Sequence, residues 1–295
     1  MDMPRNTFKQ ALARRQPQFG LFLGLANPIS AEILASCGYD FLMIDAEHGP
    51  GDVLGVQAQL QAMAAYPVQG LVRPASQDPA LIKRLLGVGA QTLLVPMVDT
   101  AEQARAVASA MLYPPRGIRG VGTGLERGAR WNAVPDYFER VQDQTCLIVQ
   151  IESRTALRNL DEIASVDGVD AVFLGPSDLA ASMGHLGKPG HPEVRQAVGQ
   201  ALARLKALDK AAGVFCADPA LAAAYQAEGA SFLALGADTG LLRGGALKLL
   251  DVVRPQGGAR RRGLLTWPGR ALARPCHSQC LPWTMPAGTT GMCPG

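Results

Sequence analysis

Nowhere in these 295 residues is there an apolar run long enough to cross a bilayer. The longest, "TLLVPMV" at 92–98 and "CLIVQI" at 146–151, are strand-sized, far short of the about 20 residues a membrane helix needs. No apolar stretch follows the positive charges of "MDMPRNTFKQALARRQPQFG", so no secretory signal is expected and the chain is read as cytoplasmic. The first strand-like run, "GLFLGLANP", lacks the glycine-rich turn that would place a dinucleotide on an open parallel sheet. Acids are missing altogether after residue 253, where Arg254, Arg260, Arg261, Arg262, Arg270 and Arg274 stand unopposed. The +3 total less these six leaves −3 on residues 1–253, and a mildly acidic body argues against nucleic acid as the main ligand. Paired cysteines are missing from the body too: Cys37, Cys146 and Cys216 stand singly in apolar segments and are expected to be buried thiols of a reducing compartment. In the tail, Cys276, His277, Cys280 and Cys293 offer a C-x3-C spacing without a second paired half, a weak zinc pattern.

What the chain does have is enough apolar material, 48% of residues, for one large core. Short β-rich runs alternate with helical patterns, the arrangement of repeated βα units. Eight strands are expected: 19–25, 39–45, 69–74, 92–98, 146–152, 169–176, 211–216 and 230–236. Between them, "EVRQAVGQALARLKAL" sets Val194, Val198, Leu202 and Leu205 at three- and four-residue steps along one helix face. Eight parallel strands predict an α/β fold, a (β/α)8 barrel over residues 1–253, with an open doubly wound sheet as the weaker alternative. Residues 254–295 show no sustained period and are read as an unstructured or frame-shifted appendage. The long glycine-, proline- and arginine-rich connection at 113–132 is a candidate lid or substrate-contact segment.

In such barrels chemistry sits where strands finish. Asp45, Glu47 and His48 follow the second strand in "DAEHGP", Arg73 closes the third, Gln150 and Glu152 close the fifth, and Asp178 follows the sixth in "GPSD". Glu152 and Asp178 come directly after runs too apolar to leave a charge unpaired. Two carboxylates without clustered histidine or cysteine favour a hard divalent cation, although Asp178 could instead cap the helix that follows. His48 can exchange a proton near neutral pH, and Arg73 can steady a carboxylate or a developing oxyanion. Together with a cation that chelates a 2-oxo acid, these parts describe enolate chemistry.

At these residues the chain resembles the HpcH/HpaI aldolase family of divalent-metal pyruvate aldolases. The likeness runs from about Phe8 to Leu250 through "GLFLGLANPISAEILASCGYDFLMIDAEHGP", "LVRPASQDP", "GAQTLLVPMV", "YPPRGIRGVG", "RWNAVPDYF", "VQIES" and "VFLGPSDLAASMG". It implies retro-aldol cleavage of a 4-hydroxy-2-oxo acid to pyruvate and an aldehyde, most closely the diacid 4-hydroxy-2-oxoheptane-1,7-dioate and succinate semialdehyde. Carried over by position, His48 is the general base, Arg73 stabilises the enolate, and Glu152 and Asp178 hold Mg2+, Mn2+ or Co2+. Gln150 contacts substrate, Ser177 lends its amide to the pyruvate carboxylate, and Asp45 lies at the site. The resemblance also implies a homohexamer built from dimers, with the last helix, 239–253, exchanged between subunits.

Gly87 departs from the pattern: relatives carry an aspartate there, held to raise the basicity of the active-site histidine, so slower proton abstraction and a weakened helix are expected. The nearest rivals are an aldolase for 2-dehydro-3-deoxyglucarate or 2-dehydro-3-deoxyrhamnonate and a CoA-ester lyase. A catalytically decayed barrel that binds oxo acids and RNA binding through the tail stand further off.

Overall fold

A computed structural model describes residues 1–253. Met1–Leu250 form one compact unit. Its strands are β1 (Gln18–Leu23), β2 (Phe41–Asp45), β3 (Gln69–Arg73), β4 (Thr92–Val95), β5 (Cys146–Ile151), β6 (Ala171–Leu174), β7 (Ala211–Phe215) and β8 (Phe232–Ala237). Every one overlaps an expected strand. All pair in parallel with their chain neighbours, and β1 pairs with β8 through Gln18 and Phe232, so the sheet closes and the open-sheet alternative falls.

The helices are α1 (Thr7–Ala13), α2 (Pro28–Ala35), α3 (Val53–Met63), α4 (Pro79–Gly87), α5 (Ala101–Met111), α6 (Tyr137–Gln144), α7 (Arg154–Arg158), α8 (Leu160–Ala164), α9 (Pro176–Ser182), α10 (Pro192–Ala207), α11 (Pro219–Glu228) and α12 (Asp238–Val253). Their starts are written in the sequence. Asn27, Asp78 and Asp218 accept backbone N–H bonds just before a proline at the first helical position, and Thr100 with Gln103 forms a reciprocal capping box. The four apolar residues expected on one face of α10 are all fully buried.

Two apolar layers result from the strand period of two. Outward residues such as Leu42, Ile44, Val72, Val149 and Val172 pack under the helices. Inward residues Phe22, Phe41, Met43, Leu71, Leu94, Ile148, Phe173 and Phe232 fill the barrel. Helix α1 closes the end where the strands begin: Phe8 is fully buried, its ring edge-to-face with Phe41 at 5.3 Å and Phe232 at 5.4 Å. The same alternation carries β2 from Phe41 and Met43 to an inward Asp45, and β3 from Leu71 to an inward Arg73. Asp45 and Arg73 are register partners, so their side chains meet at the opposite end, the mouth.

Three expectations need correction. The 113–132 segment joins helix α5 to strand β5, and helix-to-strand connections lie at the end where strands start. It is therefore remote from the mouth of its own chain and cannot serve there as a lid. Gly87 is the last residue of α4, on that same far end, so its penalty as a helix residue shrinks at the terminus, and a side chain at 87 would bear on a His48 only from another subunit. The space is used: a Cβ on Gly87 would lie 3.2–3.3 Å from the carboxylate arm of Glu126. Cys37 is exposed, in the turn after α2, whereas Cys146 and Cys216 are buried as expected. Residues 254–295, including Cys276, His277, Cys280 and Cys293, lie outside the described residues. Among the described residues no helix is long and apolar enough to cross a membrane.

Phe8→Ala removes the barrel's floor. It is expected to lower unfolding stability by about 3–5 kcal/mol, read as a shifted urea midpoint at unchanged slope. An unshifted midpoint would show that α1 does not plug the barrel.

Candidate functional site

The mouth is organised around Arg73. Its Nε donates to Asp45 Oδ1 at 3.0 Å and its Nη2 to Asp45 Oδ2 at 2.6 Å, a bidentate pair buried on both sides. The guanidinium carbon lies 4.9 Å from the Phe22 ring centroid, a cation–π contact that fixes its plane. Asp45 does more than pair, because its Oδ1 also accepts the backbone N–H groups of Glu47 at 3.1 Å and His48 at 3.2 Å. Burial alone would raise the Asp45 carboxyl, but the Arg73 bonds and charge, with those two amides, outweigh it and hold the group below the usual range. The "DAEHGP" turn is thus folded around a carboxylate.

Glu47, singled out in the sequence but given no role there, belongs to the site. Its Oε2 lies 3.0 Å from Arg73 Nη1 and 3.7 Å from His48 Nε2. Neither contact has hydrogen-bond alignment, so burial prevails and the Glu47 carboxyl is pushed up. His48 itself is open to solvent, with 65% of its side chain exposed beside this carboxylate.

The second half of the site is carboxylate. Glu152 follows β5 and is only 3% exposed. Its Oε1 accepts the Met97 N–H at 2.8 Å and its Oε2 accepts from Gln150 Nε2. Burial pushes the Glu152 carboxyl up to about 7 against those two bonds, and the nearby charges of Asp178 and Glu47 push the same way. Met97 holds a left-handed φ of 56°, a backbone state rare outside glycine that aims its amide at Glu152. The clue in the sequence was Pro96, which ends β4 at Val95 and frees the next residue to turn. Gly175 completes the cradle, since a Cβ there would sit 2.8 Å from Glu152 Oε2.

Asp178 and Ser177 are exposed in the first turn of α9. Asp178 is not the cap of that helix: the cap position is Gly175 and no side chain bonds there. The alternative of a structural cap is overturned, and the Asp178 carboxylate enters no ion pair among the described residues. Its charge is one of the influences that push both the Glu152 and the Glu47 carboxyls up. Gln150 turns its Nε2 to Glu152 and leaves a buried Oε1 without a partner.

This space fits a hard divalent cation. Glu152, buried and pushed up to about 7 with the charges of Asp178 and Glu47 acting on it, is an oxygen donor short of positive charge, which suits such an ion. Arg73 cannot supply it, being committed to Asp45 and Glu47.

Residues 18–244 match the model of the HpcH/HpaI aldolase/citrate lyase family. A hydroxypyruvate/pyruvate aldolase of Deinococcus radiodurans is 59% identical over 82% of this chain and 87% of its own length. A 4-hydroxy-2-oxo-heptane-1,7-dioate aldolase of Salmonella dublin is 53% identical over 82% of this chain and 92% of its own. Among solved structures, an HpcH/HpaI aldolase/citrate lyase family protein of Burkholderia cenocepacia superposes with a TM-score of 0.82 at 38% identity, covering 85% of this chain and all of that one. With the barrel, the mouth and these likenesses in agreement, the chain belongs to the HpcH/HpaI aldolase/citrate lyase family.

Proposed function

We propose that this carbon–carbon lyase reversibly cleaves a 4-hydroxy-2-oxo acid to pyruvate and an aldehyde, with one divalent cation held by Glu152 and Asp178. The observation that carries the reading is the buried Glu152 carboxylate, pushed up to about 7, held by two neutral amide donors and in no ion pair among the described residues. Mg2+, Mn2+ or Co2+ bound there would polarise the keto oxygen and make the neighbouring C–H bonds more acidic.

The chain's own groups do the rest. His48, exposed at the mouth, takes the proton of the 4-hydroxyl as the C3–C4 bond breaks. The bonding pair passes into the pyruvate enolate, and the aldehyde leaves. Glu47, beside His48 Nε2, steadies the imidazolium that results. Arg73, locked by Asp45 and by the Phe22 ring, offers a fixed positive charge to the enolate oxygen without having to reorganise. A proton then returns to C3 to give the methyl group of pyruvate. The amide of Ser177, in a first helical turn that has no backbone acceptor for it, would donate to the substrate carboxylate. Gln150 Oε1, buried and free, can accept from water or a substrate hydroxyl.

For the aldehyde, the Salmonella relative supports succinate semialdehyde and hence the seven-carbon diacid. The Deinococcus relative, named for both hydroxypyruvate and pyruvate, favours a second reading in which hydroxypyruvate also serves as the nucleophilic partner. Rates over a panel of donors and acceptors, sugar-derived acids included, separate these readings. A homo-oligomer is also proposed: along α12 the only buried residue is Asp238, while Leu242, Leu249, Val252 and Val253 are exposed.

Chelation with EDTA is expected to abolish pyruvate release and added Mg2+ or Mn2+ to restore it, with Glu152→Gln and Asp178→Asn each weakening metal binding by at least about tenfold in calorimetry. Full turnover in chelator contradicts the reading. Because the metal-free Glu152 carboxyl keeps its proton up to about pH 7, apparent Mg2+ affinity should level off above that pH and fall roughly tenfold per unit below it. Affinity that stays constant from pH 5 to 8 would remove Glu152 from the ligand set.

A further inference from the structure

At the end of the barrel away from the mouth lies a cavity of about 220 Å³. Arg5, Arg119, Arg127 and Arg130 line it, together with the amide side chains of Gln69 and Gln91, and no aspartate or glutamate does. Leu60, Met63, Val68, Leu86 and Val141 add an apolar side to a wall that is otherwise polar. Low-dielectric walls strengthen whatever charge interactions form inside.

Among the described residues these cations are only partly satisfied. Arg119 pairs with Glu126 at 3.1 Å and stacks on Tyr113 at 4.5 Å, but the residue is only 3% exposed and its Nε has no partner. Arg127 donates only to the Val88 carbonyl at 3.2 Å, and Arg5, Arg127 and Arg130 enter no ion pair among the described residues. Residues 254–295 contain no acid, so no side-chain carboxylate from that stretch completes the set. Burial first, and then the charge of Arg130, pull the Arg127 guanidinium below its usual range, as expected of neighbouring cations that lack an anion. The backbone is shaped to admit Arg127: a Cβ on Gly89 would lie 2.5 Å from its Nη1.

We propose that this cavity binds a compact oxyanion, a phosphate or carboxylate group, between Arg119, Arg127 and Arg130. Guanidinium forks match the oxygens of such groups, and the Arg119 Nε supplies a buried donor that now has no acceptor. The site lies at the opposite end of the barrel from the mouth of its own chain, and the anion binding does not depend on the reaction proposed there. It gives the 113–132 segment, which carries Arg119, Arg127 and Arg130, a role at the end of the barrel where it actually lies.

Calorimetric titration of full-length protein in EDTA, with inorganic phosphate in one arm and succinate in the other, tests this and distinguishes the two anion sources. Saturable binding of about one equivalent per chain is expected in at least one arm, weakened at least tenfold in Arg127→Gln and in Arg130→Gln but kept in Arg73→Gln, whose change is at the mouth. Circular dichroism checks folding, and either far-end variant suffices if the other fails to fold. No saturable binding in either arm, equal binding by the far-end variants, or loss only in Arg73→Gln overturns the proposal.

Discussion

A carboxylate removed from water without a counter-charge is the constraint on which this mouth is built. Glu152 is held by one backbone amide and one side-chain amide, both neutral donors, and these do not offset its desolvation. The charges of Asp178 and Glu47 push the same way, and the Arg73 guanidinium is engaged with Asp45 and Glu47. Such a cluster is stable either protonated or around a cation, and a barrel mouth open to solvent lets a cation in. The local departures from routine structure serve this one group: a left-handed Met97, a glycine at 175 where a Cβ would collide, and a glutamine fixed by its Nε2.

Across the mouth the opposite economy holds. Arg73 and Asp45 satisfy each other, and Asp45 in turn ties down the turn that presents His48. The guanidinium of Arg73 is held in place, the His48 ring is exposed, and Glu47 lies between them. Positioning of this kind lowers the reorganisation needed when charge develops, which is where preorganised electrostatics contribute most.

Much of this was legible from residue order alone. Eight apolar runs separated by capped helices specify a closed parallel barrel, and the period of two then sends Asp45, Arg73, Gln150 and Glu152 inward at the strand ends. Contacts between distant segments were harder to read. Glu47 stands in plain sight in "DAEHGP", yet only the fold shows its oxygen between Arg73 and His48. Met97 has no polar side chain to draw notice, because it acts through its backbone. The lid expected at 113–132 fails within one chain because that segment lies on the helix-to-strand side of its unit, and composition does not reveal which end of the barrel a loop occupies. That Asp178 does not cap α9 is seen only once the cap position falls at Gly175.

The central claim is that a cation between Glu152 and Asp178 makes the carbon next to a keto group acidic. Proton NMR of pyruvate in D2O, with the protein and Mg2+, measures this without any aldehyde partner. The account predicts loss of the methyl signal with Mg2+, none in EDTA, and none with Glu152→Gln. Equal exchange in chelator, or undiminished exchange by that variant, would contradict it.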